Sequence, residues 1–100
     1  MTEYRIATSV LDSIVRGALI ADARIRVHAP LPLTRTHAVE IGVQADQCSV
    51  TIQLDARLGE NLPAVAADVR AAVADALTRM TGLVVNAVDV VFAAVFPAAT

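Results

Sequence analysis

Two runs of strict alternation stand back to back in the middle of this chain and leave few folds open to it. From Ala38 to Gln44 the apolar Val39, Ile41 and Val43 share one face, and from Ser49 to Arg57 the pattern returns with Val50, Ile52 and Leu54. Successive strand side chains point to opposite faces, so a period of two marks a strand with one buried side. Ala45-Asp46-Gln47 between the runs makes a hairpin loop. A third alternating stretch precedes them, Arg24 to Ala29, with Ile25, Val27 and Ala29 set against Arg24, Arg26 and His28, and Pro30 and Pro32 end it.

Helical periods flank these strands. Tyr4 to Ala7 reads as a short opening strand, after which Thr8 or Ser9 offers a capping hydroxyl for a helix reaching about Asp22. On a wheel Val10, Leu11, Ile14, Ala18 and Ala21 fall together, opposite Asp12, Ser13 and Arg16. Leu19 and Ile20 lie off that stripe, and exposed apolar side chains there point to self-association or a partner. Asn61 caps a second helix with Pro63 in its first turn, and Leu62, Val65, Val69, Val73, Ala76 and Met80 line its inner face. Gly82 supplies the left-handed residue that closes it.

Leu83 to Phe96 forms the last strand region, where Val84, Val85, Val88, Val90, Val91, Phe92 and Val95 do not simply alternate. The expectation is a strand covered on both faces, with a second subunit as one cover. The whole reads as a single α+β domain over residues 1–100, a mixed sheet of four to five strands with two helices packed on it, in the order β-α-β-β-β-α-β.

An apolar fraction of 56% raises the question of a membrane span, but the excess is Ala and Val, and the longest stretch, Val84 to Ala99, is broken by Asn86 and Asp89. A spanning helix needs about 20 apolar residues. Met1 to Arg5 carries neither a basic leader nor an apolar signal core, and the expected location is the cytoplasm. A net charge of -2 lacks the electrostatic footprint of a nucleic-acid binder.

The residues hold no convergent chemistry, so no catalytic residue, metal ligand or cofactor site is expected. His28 and His37 with Glu40 or Asp55 lack the close Cys/His pairing of a zinc site. No Ser, Thr or Cys sits in a nucleophile turn, and Gly59-Glu60-Asn61-Leu62-Pro63 has one glycine, no lysine and an acid that repels phosphate. Cys48 is a buried apolar residue in this reading. Asp68 and Asp75 are solvated charges about two helical turns apart. Arg24, Arg26, Arg35 and His28 form one mildly basic region that could meet an acidic protein or membrane surface.

The segment Gly59 to Val90 resembles the C-terminal half of the alkaline shock protein family. The residues that carry the likeness are Gly59, Asn61-Leu62-Pro63, Val65-Ala66, Val69-Arg70, Val73, Leu77, Met80-Thr81-Gly82-Leu83, Val85, Val88 and Val90. The hairpin, Ala38 to Arg57, and the opening helix, Val10 to Ala21, follow the family order. The resemblance implies a non-enzymatic protein of bacterial envelope stress homeostasis, self-associating as a homodimer or larger and brought to the membrane by an anchored partner. Asp22-Ala23-Arg24-Ile25 replaces the family's acidic-Gly-Val turn, and the Pro30-Leu31-Pro32-Leu33 loop is a further departure. The contact residues expected are Leu19, Ile20, Arg24, Arg26, Val88, Val90 and Phe92.

Overall fold

The computed structural model describes residues 6–30 and 37–98. Its elements run α1 (Thr8–Leu19), β1 (Ile25–Val27), β2 (Val39–Gln44), β3 (Gln47–Arg57), α2 (Leu62–Thr81) and β4 (Val84–Phe96). This is the expected α+β architecture with a four-stranded mixed sheet and two helices. The opening strand expected at Tyr4 to Ala7 begins outside the described residues, and its described part, Ile6 and Ala7, joins no ladder. Leu31, Pro32, Leu33 and Arg35 also lie outside them.

β3 is the centre of the sheet. β4 pairs with it in parallel along its whole length. On the other edge β2 runs antiparallel beside its first half, Val39 opposite Ile52 and Gln44 opposite Gln47, and β1 beside its second half, Ile25 opposite Ala56. The helices cover one face only: α1 packs on β1 and β2, α2 on β4, and the two helices on each other. Between the layers Val50, Ile52 and Leu54 of β3 are sealed by Leu11 and Val15 of α1 and by Val65, Val69, Val73 and Leu77 of α2.

The alternation in β2 and β3 therefore faces the helices as the sequence predicts, and Cys48 is buried on the same face. The hairpin loop is tighter than the expected three residues, because Gln44 and Gln47 already pair and leave Ala45 and Asp46 as the turn. Ala45 takes a positive φ of 57° there, as two-residue hairpin turns require of a central residue.

α2 begins and ends as its sequence dictates. The Ala64 N–H donates to Asn61 Oδ1 at 3.3 Å, and Gly82, at φ 76°, donates its N–H to the Thr78 carbonyl at 2.9 Å. Met80 is not in the inner stripe: Leu77 fills the core, and Met80, the penultimate residue of the helix, is exposed.

α1 departs further. Ala7, with no side-chain cap, stands at its N-cap, and the Val10 and Leu11 N–H groups donate to the Ala7 carbonyl, so Thr8 and Ser9 lie inside the helix. The helix ends at Leu19, and in the turn that follows the Asp22 N–H donates to the Leu19 carbonyl while the Asp22 carboxylate accepts the Arg24 N–H and guanidinium. Its buried residues are Leu11, Val15 and Leu19, so of the expected stripe Leu11 is core, Ile14 and Ala18 are half-buried, and the centre of the face is displaced toward Val15. Val10 and Ala21 are consequently exposed and Leu19 is core.

In β4 the broken alternation has a cause other than burial on both faces. Cys48 stands beside Val85 but Ser49 beside Ala87, and Leu54 beside Phe92 but Asp55 beside Ala94, so Asn86 and Ala93 are extra residues. These two bulges shift the phase of the strand. Val85, Val88, Val90, Phe92 and Val95 thereby stay on the helix side with Cys48, Val50, Ile52, Leu54 and Ala56. Among the described residues nothing covers the opposite face.

Two positions report the backbone directly. Ala45→Gly removes a side chain from a left-handed residue, which costs about 1–2 kcal/mol for L-residues, less the entropy a glycine loses on folding. The expected net gain is about 0.5–1 kcal/mol in urea unfolding. Gly82→Ala has open space around its new Cβ, so its loss of about 0.5–1 kcal/mol is conformational alone.

Candidate interaction surface

The residues expected at contacts divide into three groups. Leu19 and Val88 place their side chains in the chain's own core, 4% and 8% exposed, which leaves no side-chain surface for a partner there. Leu19 is there because the α1 stripe is displaced, and Val88 because the first bulge turns it toward Val50, its neighbour on β3. Val90 and Phe92 are half-buried and pack against the core from β4. Ile20 is 86% exposed just past the end of α1.

The arginines have partners within the chain. Arg24 donates through Nε and Nη2 to the two Asp22 oxygens at 2.9 and 2.7 Å and through Nη1 to Asp68 Oδ2 at 3.1 Å, which ties the start of β1 to α2. Those donors hold the Asp22 carboxyl below its ordinary value against the opposing effect of burial, and Asp22 and Asp68 together raise the Arg24 guanidinium. The Arg26 guanidinium lies 3.9 Å over the Phe96 ring on the uncovered face of the sheet, a cation–π contact. Arg57 donates through Nε and Nη2 to Glu60 Oε2 at 3.0 and 2.7 Å.

Two further groupings of polar side chains bear on catalysis. His28 Nδ1 lies 2.7 Å from Asp55 Oδ1 across β1 and β3, and among the described residues no hydroxyl or thiol joins that pair. A carboxylate at Nδ1 orients an imidazole, but nucleophilic catalysis needs a third group to activate. A shallow concavity of about 620 Å³ between α1 and β2 gathers Ser9, Asp12, Arg16, His37 and Glu40. Its short contacts run within α1, Ser13 Oγ to the Ser9 carbonyl and Arg16 Nε to Asp12 Oδ2; among the described residues none links His37 or Glu40 to Ser9 or Asp12. No described group of His, Cys, Asp and Glu is arranged to hold a metal ion. Burial pushes the Cys48 thiol up, away from the reactive thiolate.

Exposed apolar surface is concentrated elsewhere. Val10, Ile14, Gly17 and Ala18 of α1 face Ala76 and Met80 of α2 across an open groove of about 800 Å³. Sequence reading placed Val10 and Met80 in the core; their departure from it creates this groove. A second apolar surface is β4, where Val84, Val91 and Val95 are 50%, 47% and 59% exposed along an edge that no described strand pairs.

A family model matches residues 6–97, that of the alkaline shock protein 23 family, with a cell envelope-related function. The chain belongs to this family. The match spans nearly all of the described fold, from the residue before the α1 N-cap to the end of β4, and so covers α1 and the hairpin as well as the segment from Gly59 to Val90 that most resembles the family. It is not a known enzyme family. Neither a curated protein nor a solved structure matches the chain.

The Asp22 turn gives a pH signature. A carboxyl whose folded pKa is depressed contributes stability that is present above its unfolded pKa and lost as pH falls through the folded one. Asp22→Asn is expected to be less stable than the natural chain at pH 7, with the gap closing as pH drops below about 4, the ordinary value for Asp. Urea unfolding at a series of pH values checks this; a gap independent of pH would assign Asp22 a purely geometric role.

Proposed function

We propose that this alkaline shock family member is a non-enzymatic scaffold of the bacterial envelope stress response. It acts in the cytoplasm by associating with itself and by docking to a membrane-anchored protein. The family match supports the envelope-related role. The observation that carries the scaffold reading is β4, a thirteen-residue strand at the sheet edge with exposed valines and no described neighbour on its outer side. Edge strands are blunted by Lys, Pro, bulges or a cover, because their free N–H and C=O groups recruit another chain; β4 contains no Lys or Pro, and its two bulges leave the stretch from Ala87 to Phe92 regular. None of the described helices is long and apolar enough to cross a membrane, so contact with the envelope is assigned to a partner.

The other reading, an adaptor that grips an acidic surface through Arg24 and Arg26, is less favoured. Arg24 already serves two carboxylates and Arg26 is stacked on Phe96.

A fluorescent fusion in the native bacterium tests the proposal. Signal is expected at the cell periphery under envelope stress, with co-sedimentation in the membrane fraction that ends when the anchored partner is deleted. Uniform signal under stress, with all protein in the soluble fraction, would sink the docking role.

A further inference from the structure

We propose that two copies of this chain join through the free edges of β4, antiparallel, about a two-fold axis through Val90, to form one continuous eight-stranded sheet. The proposal rests on the self-associating scaffold reading and deepens it by naming the surface and the symmetry.

The first support is the direction of the backbone groups. In a strand of L-residues, all side chains on one face send their N–H and C=O groups to the same edge. Val84 and Phe96 lie on the face away from the helices, and both turn inward: the Val84 N–H donates to the Asp46 carbonyl and the Leu58 N–H donates to the Phe96 carbonyl, each at 2.8 Å. β3 obeys the same rule, since Gln53, also on that face, pairs toward β2 and β1 through the Ala38 carbonyl and the His28 N–H. The helix-side residues of β4, namely Val85, Val88, Val90, Phe92 and Val95, therefore send their N–H and C=O groups to the free edge.

The second support is that this set is symmetric. Reading outward from Val90 in either direction, the helix-side positions come after two residues, Val88 and Phe92, and then after three, Val85 and Val95, because the bulges at Asn86 and Ala93 are almost equidistant from Val90. A two-fold axis at Val90 sets Val90 against Val90, Val88 against Phe92 and Val85 against Val95. Every helix-side residue meets another, and the two bulged stretches oppose each other. Such an arrangement offers up to about ten N–H···O=C bonds. An unrelated strand would have to carry two bulges at the same spacing to match; a second copy carries them by construction.

Charge disfavours the adjacent register. Asp89 is the one charged residue of β4. About Val90 it stands opposite Val91, whereas an axis at Asp89 would set two carboxylates directly against each other, which is destabilising. It would also set Val85 opposite Ala93 and put the bulges out of step.

Val91 is exposed on the uncovered face, so its substitution tests the interface without reaching into the core. Sedimentation equilibrium should give a dimer for the natural chain. Val91→Asp, which brings a carboxylate opposite Asp89 of the second copy, should weaken it several-fold, and Val91→Arg should tighten it several-fold. Oxidised Val90→Cys should form a covalent dimer, since directly opposed hydrogen-bonded residues have Cα atoms about 5.5 Å apart, inside the disulfide range. The natural chain, whose cysteine is buried, should form none. Circular dichroism of each variant confirms that it is folded. A dimer indifferent to both Val91 substitutions and unlinked through Val90→Cys would overturn the β4 edge while leaving self-association standing. A monomer at every concentration, with folded variants also monomeric, would overturn both.

Discussion

β3 pairs with every other strand of the sheet, with β4 along one edge and with β2 and β1 end to end along the other. Its register therefore fixes theirs. Cys48, Val50, Ile52, Leu54 and Ala56 all face the helices and all are buried, while Gln47, Ser49, Thr51, Gln53, Asp55 and Arg57 face away. A slip of one residue would carry the whole apolar set to the polar side, so the strict alternation of this one strand excludes competing pairings. The α2 crossover then returns the chain parallel to β3, and the parallel ladder with β4 is the longest in the molecule.

Much of this was legible because the physics is local. The period of two in β2 and β3, the Asn61 cap with Pro63 in the first turn, and the Gly82 stop each depend on a few adjacent residues, and the structure realises them. α1 shows where local reading fails. A wheel drawn through Val10, Leu11, Ile14, Ala18 and Ala21 is as good an apolar stripe as one through Leu11, Val15 and Leu19; Leu11 is common to both, and where β1, β2 and α2 lie decides the rest. The helix end was missed for a related reason. Asp22 accepts the Arg24 N–H and guanidinium in a turn that no apolar periodicity marks, and Arg24 also reaches Asp68, forty-four positions further on.

The candidate surface was half legible. The valines of β4 announced a strand with too many apolar positions for one face, but the explanation lies in two bulges that only the pairing with β3 exposes. Neither Asn86 nor Ala93 is a glycine, so the chain gives no composition signal for them. Of the residues singled out for contact, Ile20 is exposed, Leu19 and Val88 belong to the core, and Arg24 and Arg26 are engaged within the chain.

The uncovered face of the sheet is not uniform, and its gradient bears on the edge-to-edge association proposed above. On β3 that face is polar throughout, and near β1 it carries the His28–Asp55 pair. Moving outward to β4 it becomes Val84, Ala87, Asp89, Val91, Ala94 and Phe96. A helix laid over the centre of this face would have to desolvate Thr51, Gln53 and Asp55, and burial of unpaired polar groups is costly. The outer strand presents apolar side chains and unsatisfied backbone groups together. Another strand beside it removes both from water at once, through a strip of surface that leaves the polar centre hydrated.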